Sequence, residues 1–288
     1  MLQVARVAPK ALGESAELVR RFILSKLTSE GGFADREGRA DLYYSVFGIE
    51  ALMALQTEPP REQIKAWLRG FGDGAVLDFV HLCSLVRCAA DIGGDVFSED
   101  QKTRLAERID FFRTPDGGFH GTPGKAQGSA YGCLLAWGAH ADLGVLMGKT
   151  NALVDCVKSL QTKDGGYSNE PGMKLGSTTA TAAAVTLCRH LGQEPGAETA
   201  AWLLRQCHPG GGFLAAPGVP LPDLLSTAVA LHALDGLEAD FRNIKEVGLD
   251  FVDSLWSAEG GFHGHWAEDD LDCEYTYYGL LALGHLSL

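Results

Sequence analysis

Two kinds of helical pattern alternate along this chain of 288 residues. Segments 14–28, 60–71, 98–113, 151–161, 197–207 and 242–256 set apolar side chains at helical spacing on one face and charges on the other, which predicts helices with one wet side. Segments 41–55, 75–92, 129–143, 177–191, 223–237 and 272–286 are apolar or small nearly all round, which predicts buried helices. Twelve helices in strict outer and inner alternation give an all-α fold, an (α/α)6 toroid of six helical-hairpin repeats. The terminal repeats carry no polar caps, so closure is expected in place of an open solenoid, as one domain over 1–288.

The repeat has its own punctuation. Gly-Gly followed by an aromatic recurs at Gly31-Gly32-Phe33, Gly117-Gly118-Phe119, Gly165-Gly166-Tyr167, Gly211-Gly212-Phe213 and Gly260-Gly261-Phe262, at intervals of 86, 48, 46 and 49 residues. The first interval holds two repeats, with one signature lost near Phe71-Gly72-Asp73-Gly74. Glycine permits the positive φ that ends an outer helix, and the aromatic is expected to plug the space between layers.

Each inner helix opens on a residue suited to cap it: Asp41, Asp78, Ser129, Ser177, Asp223 or Asp272. If the inner helices run parallel, these first turns share one mouth. Tyr43, Tyr44, Phe47, Phe79, His81, Tyr131, Leu225, Tyr275 and Tyr278 are then the candidates to line a central pocket for an apolar substrate.

Charge narrows the partners. With 24 basic and 37 acidic residues the net charge is −13, and the longest basic cluster is Arg20-Arg21, so nucleic acid is not an expected partner, while the charge is compatible with a cationic one. No apolar run of 18 residues and no leader-like start are present, so a cytoplasmic protein without a membrane span is expected. The 7 cysteines, odd in number and mostly in apolar helical runs, predict reduced core thiols.

The first repeat, from Gly31-Gly32-Phe33-Ala34-Asp35-Arg36 to Asp41-Leu42-Tyr43-Tyr44-Ser45-Val46-Phe47-Gly48-Ile49, resembles a repeat of the protein prenyltransferase β subunits, above all that of Rab geranylgeranyltransferase. Pro171-Gly172-Met173 and Leu221-Pro222-Asp223 resemble later repeats of the same family. The resemblance spans the chain and implies the α/α toroid shared with farnesyltransferase and class II terpene cyclases; activity is a separate matter. It also locates what this sequence lacks. The family's zinc ligands fall on Asp223, Leu225 and Tyr275, and one carboxylate is too few for a thiolate-activating zinc. The family's diphosphate clamp falls on Gly176, Gly128, Pro217 and Pro220, none of which can neutralise a diphosphate. Neither a metal nor any other cofactor is expected, and classical thiol prenylation is disfavoured. His263, His265, Asp269, Asp270, Asp272 and Cys273 cluster within eleven residues without a standard zinc spacing, and an acidic loop is ordinarily solvated.

In class II terpene cyclases the same turn reads Asp-x-Asp-Asp-Thr-Ala, and its middle Asp protonates the substrate. Pro222-Asp223-Leu224-Leu225-Ser226-Thr227-Ala228 keeps that frame and loses the acid at Leu225, while one repeat later Glu274 in Asp272-Cys273-Glu274-Tyr275-Thr276 stands at the equivalent level. A carboxyl in an apolar cavity has its pKa raised and can serve as a general acid, so Glu274, Asp272 and Asp223 are the catalytic candidates. No nucleophile elbow, P-loop or dinucleotide fingerprint is present. Paired inner-helix carboxylates would also suit a glycoside hydrolase, but the pocket-level positions carry few groups for a sugar. Three readings follow: a divergent enzyme acting on a polyisoprenoid or similar apolar molecule, a non-catalytic isoprenoid-binding protein, and a scaffold that meets a helical protein partner.

Overall fold

The computed structural model describes residues 1–93 and 95–288. Its helices are α1 (Leu2–Ala5), α2 (Ala8–Leu12), α3 (Ala16–Ser25), α4 (Leu42–Ala54), α5 (Arg61–Arg69), α6 (Phe79–Ile92), α7 (Glu99–Asp110), α8 (Ala130–Leu143), α9 (Thr150–Ser159), α10 (Thr178–His190), α11 (Thr199–Arg205), α12 (Leu224–Gly236), α13 (Lys245–Ser254) and α14 (Cys273–Ser287). They gather into two compact units: residues 1–67 with 206–288, and residues 68–205.

Six of these helices, α4, α6, α8, α10, α12 and α14, are the predicted inner ones, and each begins one residue after its predicted cap. All six caps accept a hydrogen bond from the third helical N–H: Asp41 from Tyr44, Asp78 from His81, Ser129 from Gly132, Ser177 from Ala180, Asp223 from Ser226 and Asp272 from Tyr275. The main boundary difference is in α6, where residues 75–78 form a turn ahead of the helix.

The signatures share one construction. Their first glycines, Gly31, Gly117, Gly165, Gly211 and Gly260, have φ between 87° and 112°, which a side chain tolerates poorly. The chain then turns back so that Phe33, Phe119, Tyr167, Phe213 and Phe262 bridge to the end of the preceding outer helix, each at most 2% exposed. Burying such a ring is worth about 2 kcal/mol. Each aromatic N–H is received by the inner helix: Phe33 by Ser45 Oγ at 2.8 Å, Phe119 by Cys133 Sγ at 3.3 Å, and Tyr167, Phe213 and Phe262 by the hydroxyls of Thr181, Thr227 and Thr276 at 2.9, 2.9 and 3.4 Å. These acceptors lie four residues after the cap. In the repeat without a signature that position is Leu82, whose side chain offers no acceptor.

The second glycine leaves room for the next outer helix. A Cβ on Gly32 would lie 2.5 Å from the Trp67 ring, and one on Gly212 2.7 Å from Phe251. Gly261, in the last repeat, is held the same way against Phe22 of α3 at 2.8 Å, so the sixth repeat docks on the first. In this unit α14 packs against α12, α4 and α1. In the other unit α8 packs against α6 and α10, and Arg87 of α6 pairs with Asp142 of α8 at 3.0 Å. No disulfide links the described cysteines, and six of the seven are buried. No helix is long and apolar enough to cross a membrane, among the described residues.

Candidate functional site

Within the unit formed by the two ends of the chain, α4 and α12 flank α14, and their first turns carry most of the predicted site. Capping fixes the register. Asp272 caps α14, so Glu274 occupies the second helical position, as Leu225 does after Asp223 on α12. The expected equivalence of the two levels is therefore met in the backbone.

Glu274 does not face water as a simple first-turn acid. The Tyr43 hydroxyl donates to Glu274 Oε1 at 2.5 Å, joining the first repeat to the last. Burial raises the Glu274 pKa to about 7; the Tyr43 bond and Arg36 pull it down, and the Asp272 charge pushes it further up. Burial likewise raises Tyr44 to about 12, with Asp272 and Glu274 adding to the rise, and lifts Tyr275 above the ordinary tyrosine range. Buried aromatic rings continue along α4 and α14: Phe47 lies 5.0 Å from Tyr43 and 5.3 Å from Tyr278, in edge and tilted contacts.

Arg36 is the residue that sequence reasoning missed. It leaves the signature loop of the first repeat and donates from Nε to Asp272 Oδ2 at 3.0 Å, while Nη1 lies 3.3 Å from Glu268 and 3.5 Å from Asp270. Its guanidinium sits 5.5 Å from the centre of the Tyr275 ring. Burial is the largest single influence and works against its charge, but the Asp272 hydrogen bond and the negative charges of Asp272 and Glu268 together outweigh it and hold the guanidinium firmly protonated. Asp272 is 2% exposed, so this contact compensates a charge removed from water. The two partners are 236 residues apart, and no local pattern could have paired them.

Asp223 is occupied otherwise. Its carboxylate receives the Ser226 N–H at 2.6 Å and the Ser226 hydroxyl at 2.7 Å, and burial, opposed by these bonds, raises its pKa. Its neighbours Leu225 and Tyr275 supply neither thiolate nor imidazole, so these residues do not fit a zinc ion. The His263 to Cys273 cluster disperses: Cys273 is fully buried, Asp270 and Asp272 turn to Arg36, and His265 Nδ1 accepts from Ala267 N at 3.2 Å. Among the described residues no three His, Cys, Asp or Glu side chains converge as metal ligands.

Three predicted residues belong to the other unit. Phe79 is 1% exposed and packs on Phe112 at 5.0 Å, as a core residue does. The His81 ring places Nδ1 2.9 Å from both Asp78 carboxylate oxygens. Tyr131 is exposed at the start of α8, its N–H donating to Asn169 Oδ1 at 2.9 Å.

The prenyltransferase α/α toroid domain model matches residues 13–73, 72–206 and 181–287, nearly the whole chain. The chain belongs to that family. The toroid assignment is thereby met, and solved structures agree with it. A variant of the type II terpene cyclase MstE from Scytonema, in complex with geranylgeranyl dihydroxybenzoate, aligns over 97% of each chain at 15% identity with a TM-score of 0.62. A glycosidase variant in complex with glucose aligns over 99% of this chain and 97% of its own at 14% identity, TM-score 0.60. Candida albicans protein geranylgeranyltransferase-I complexed with GGPP aligns over 99% of this toroid and 81% of its own chain at 16% identity, TM-score 0.53. No curated protein sequence matches the chain. At these identities the likeness is one of fold, and one toroid serves isoprenoid and sugar chemistry alike.

Proposed function

We propose that this toroid acts on a polyisoprenoid or similar apolar substrate with an uncharged reacting end, using Glu274 as a general acid. The observation that carries this reading is the half-buried Glu274 carboxyl hydrogen-bonded to Tyr43, with its pKa raised to about 7. The Tyr43 proton takes Oε1, which leaves Oε2 to bear the acid proton. When that proton moves to an epoxide oxygen or a terminal alkene carbon, the carboxylate left behind keeps the Tyr43 bond and the Arg36 field. The C–O bond of the epoxide breaks, or the alkene π pair is consumed, and a cation forms on the adjacent carbon. An internal alkene then donates its π electrons to close a ring, the ring cation loses a proton to solvent, and the Glu274 carboxylate takes one up from solvent to complete the cycle. The half-buried rings of Tyr43, Tyr44 and Tyr275 around this carboxyl suit both an apolar chain and a cation.

Electrostatics supports the same substrate class. Asp272, Glu268 and Asp270 surround a single guanidinium, so the local field favours a developing cation and opposes a diphosphate. A thiol prenyl transfer would need that anion to be held.

The reading is tested by mass spectrometry of small molecules released from the purified protein, and of those retained after incubation with a polyprenol. Retention of a polyprenol and discrimination against its diphosphate is the expected result. A protein that releases and retains nothing apolar is a scaffold, and the proposal fails.

A further inference from the structure

A cavity of about 530 Å³ lies near the opposite end of α14 from Glu274, lined by the end of that helix, by α13 and by α2 with the residues after it. From Glu274 to Leu286 the helix rises roughly 18 Å, so the two sites do not overlap. The volume is that of a small-molecule pocket. Its wall is mixed: Leu12, Leu249, Trp256 and Leu286 form an apolar side, Ser15 and Ser287 add hydroxyls, and Trp256 is braced edge-on by Phe262 at 5.1 Å. Two carboxylates, Asp250 and Asp253, stand on its α13 side, one turn apart, and no basic residue lines it.

We infer that this cavity is a second binding site, for a lipophilic monocation: an apolar body of roughly twelve carbons carrying an ammonium group. The apolar side of the wall binds the chain non-directionally through removal of its surface from water. The two carboxylates select the sign of the head group. Both are exposed, so they contribute discrimination of modest size that salt screens. Trp256 adds a ring face on which an ammonium is favoured over a carboxylate. The net charge of −13 attracts the same sign at long range.

The experiment is calorimetric titration of the full chain with dodecylammonium, dodecanol and dodecanoate, each below its micellar concentration and at low ionic strength. Wild type should bind the ammonium about fivefold more tightly than the alcohol and bind the carboxylate least. Asp250→Asn with Asp253→Asn should bring the ammonium down to the alcohol, and Leu249→Lys, on the exposed rim, should displace the ammonium without unfolding the chain. Polyprenol retention should survive both changes, because the Glu274 region is untouched. Equal binding of all three amphiphiles, no binding at all, or an ammonium preference that survives the double variant would each overturn the inference.

Discussion

The Tyr43 hydroxyl meets the Glu274 carboxyl at 2.5 Å, tying the inner helix of the first repeat to that of the last. One bond therefore serves two ends: it fastens chain closure within this unit, and it holds an acid whose proton is retained near neutral pH.

That retention makes stability depend on pH. Glu274 has a folded pKa near 7 against 4.5 in the unfolded chain, so between these values the folded state binds more protons. Its contribution is fully present below about pH 4.5 and is lost as pH rises through about 7. Glu274→Gln keeps the shape and the acceptor for Tyr43 and cannot ionise, so at pH 8.5 it should be the more stable protein, by up to about 3 kcal/mol. Urea unfolding of both proteins at pH 5 and pH 8.5 measures the difference. A gap that does not grow with pH contradicts the raised pKa.

Arg36→Met should cost about 2–3 kcal/mol, because it leaves the Asp272 carboxylate buried without its cation. Asp272→Asn can still cap α14, so the double variant should lose less than the sum of the single ones. A double-mutant cycle in denaturant reads the coupling directly, and additivity would show that the pair contributes nothing to the fold.

The last signature supplies a third expectation. At Gly260, φ is +95° and a Cβ would lie 2.4 Å from the Leu18 carbonyl oxygen. Gly260→Ala should therefore destabilise by about 3 kcal/mol, whereas Gly148→Ala, in open space, should stay within about 0.5 kcal/mol. Thermal melts of both variants decide it.

Deleting residues 272–288 removes α14, the helix packed on α12, α4 and α1. The exposed apolar faces, at about 25 cal/mol per Å², are expected to leave the shortened chain unfolded or aggregated. A truncation that melts cooperatively and stays monodisperse would show that the first repeat does not depend on the last.

Much of this architecture could be read from the chain because its determinants are local. All six caps followed from a polar residue standing before an apolar helical run, and the aromatic plugs followed from Gly-Gly. The hydroxyl or thiol four residues after each cap was equally available, at Ser45, Cys133, Thr181, Thr227 and Thr276, but its role appears only once the aromatic N–H that needs it is in place. Glu274 was reached through the resemblance to the cyclase turn, one repeat after the acid lost at Leu225. Arg36 was not, because its use depends on two loops that meet only through the packing of the first repeat against the last. Phe79 fits the apolar pattern of a pocket or of a core, and only its burial against Phe112 places it in the core.

If Glu274 delivers a proton to an apolar, uncharged substrate, the state of that one carboxyl governs turnover. The most direct measurement incubates wild type, Glu274→Gln and Tyr43→Phe with a polyprenyl epoxide across pH 5 to 9 and follows the lipid products. The expected results are a cyclised product of unchanged mass from wild type, a rate falling as pH passes about 7, loss of product in Glu274→Gln, and a shifted pH profile in Tyr43→Phe. Tight binding of the epoxide by wild type with the lipid recovered unchanged would contradict this role of Glu274 and leave a binding protein in its place.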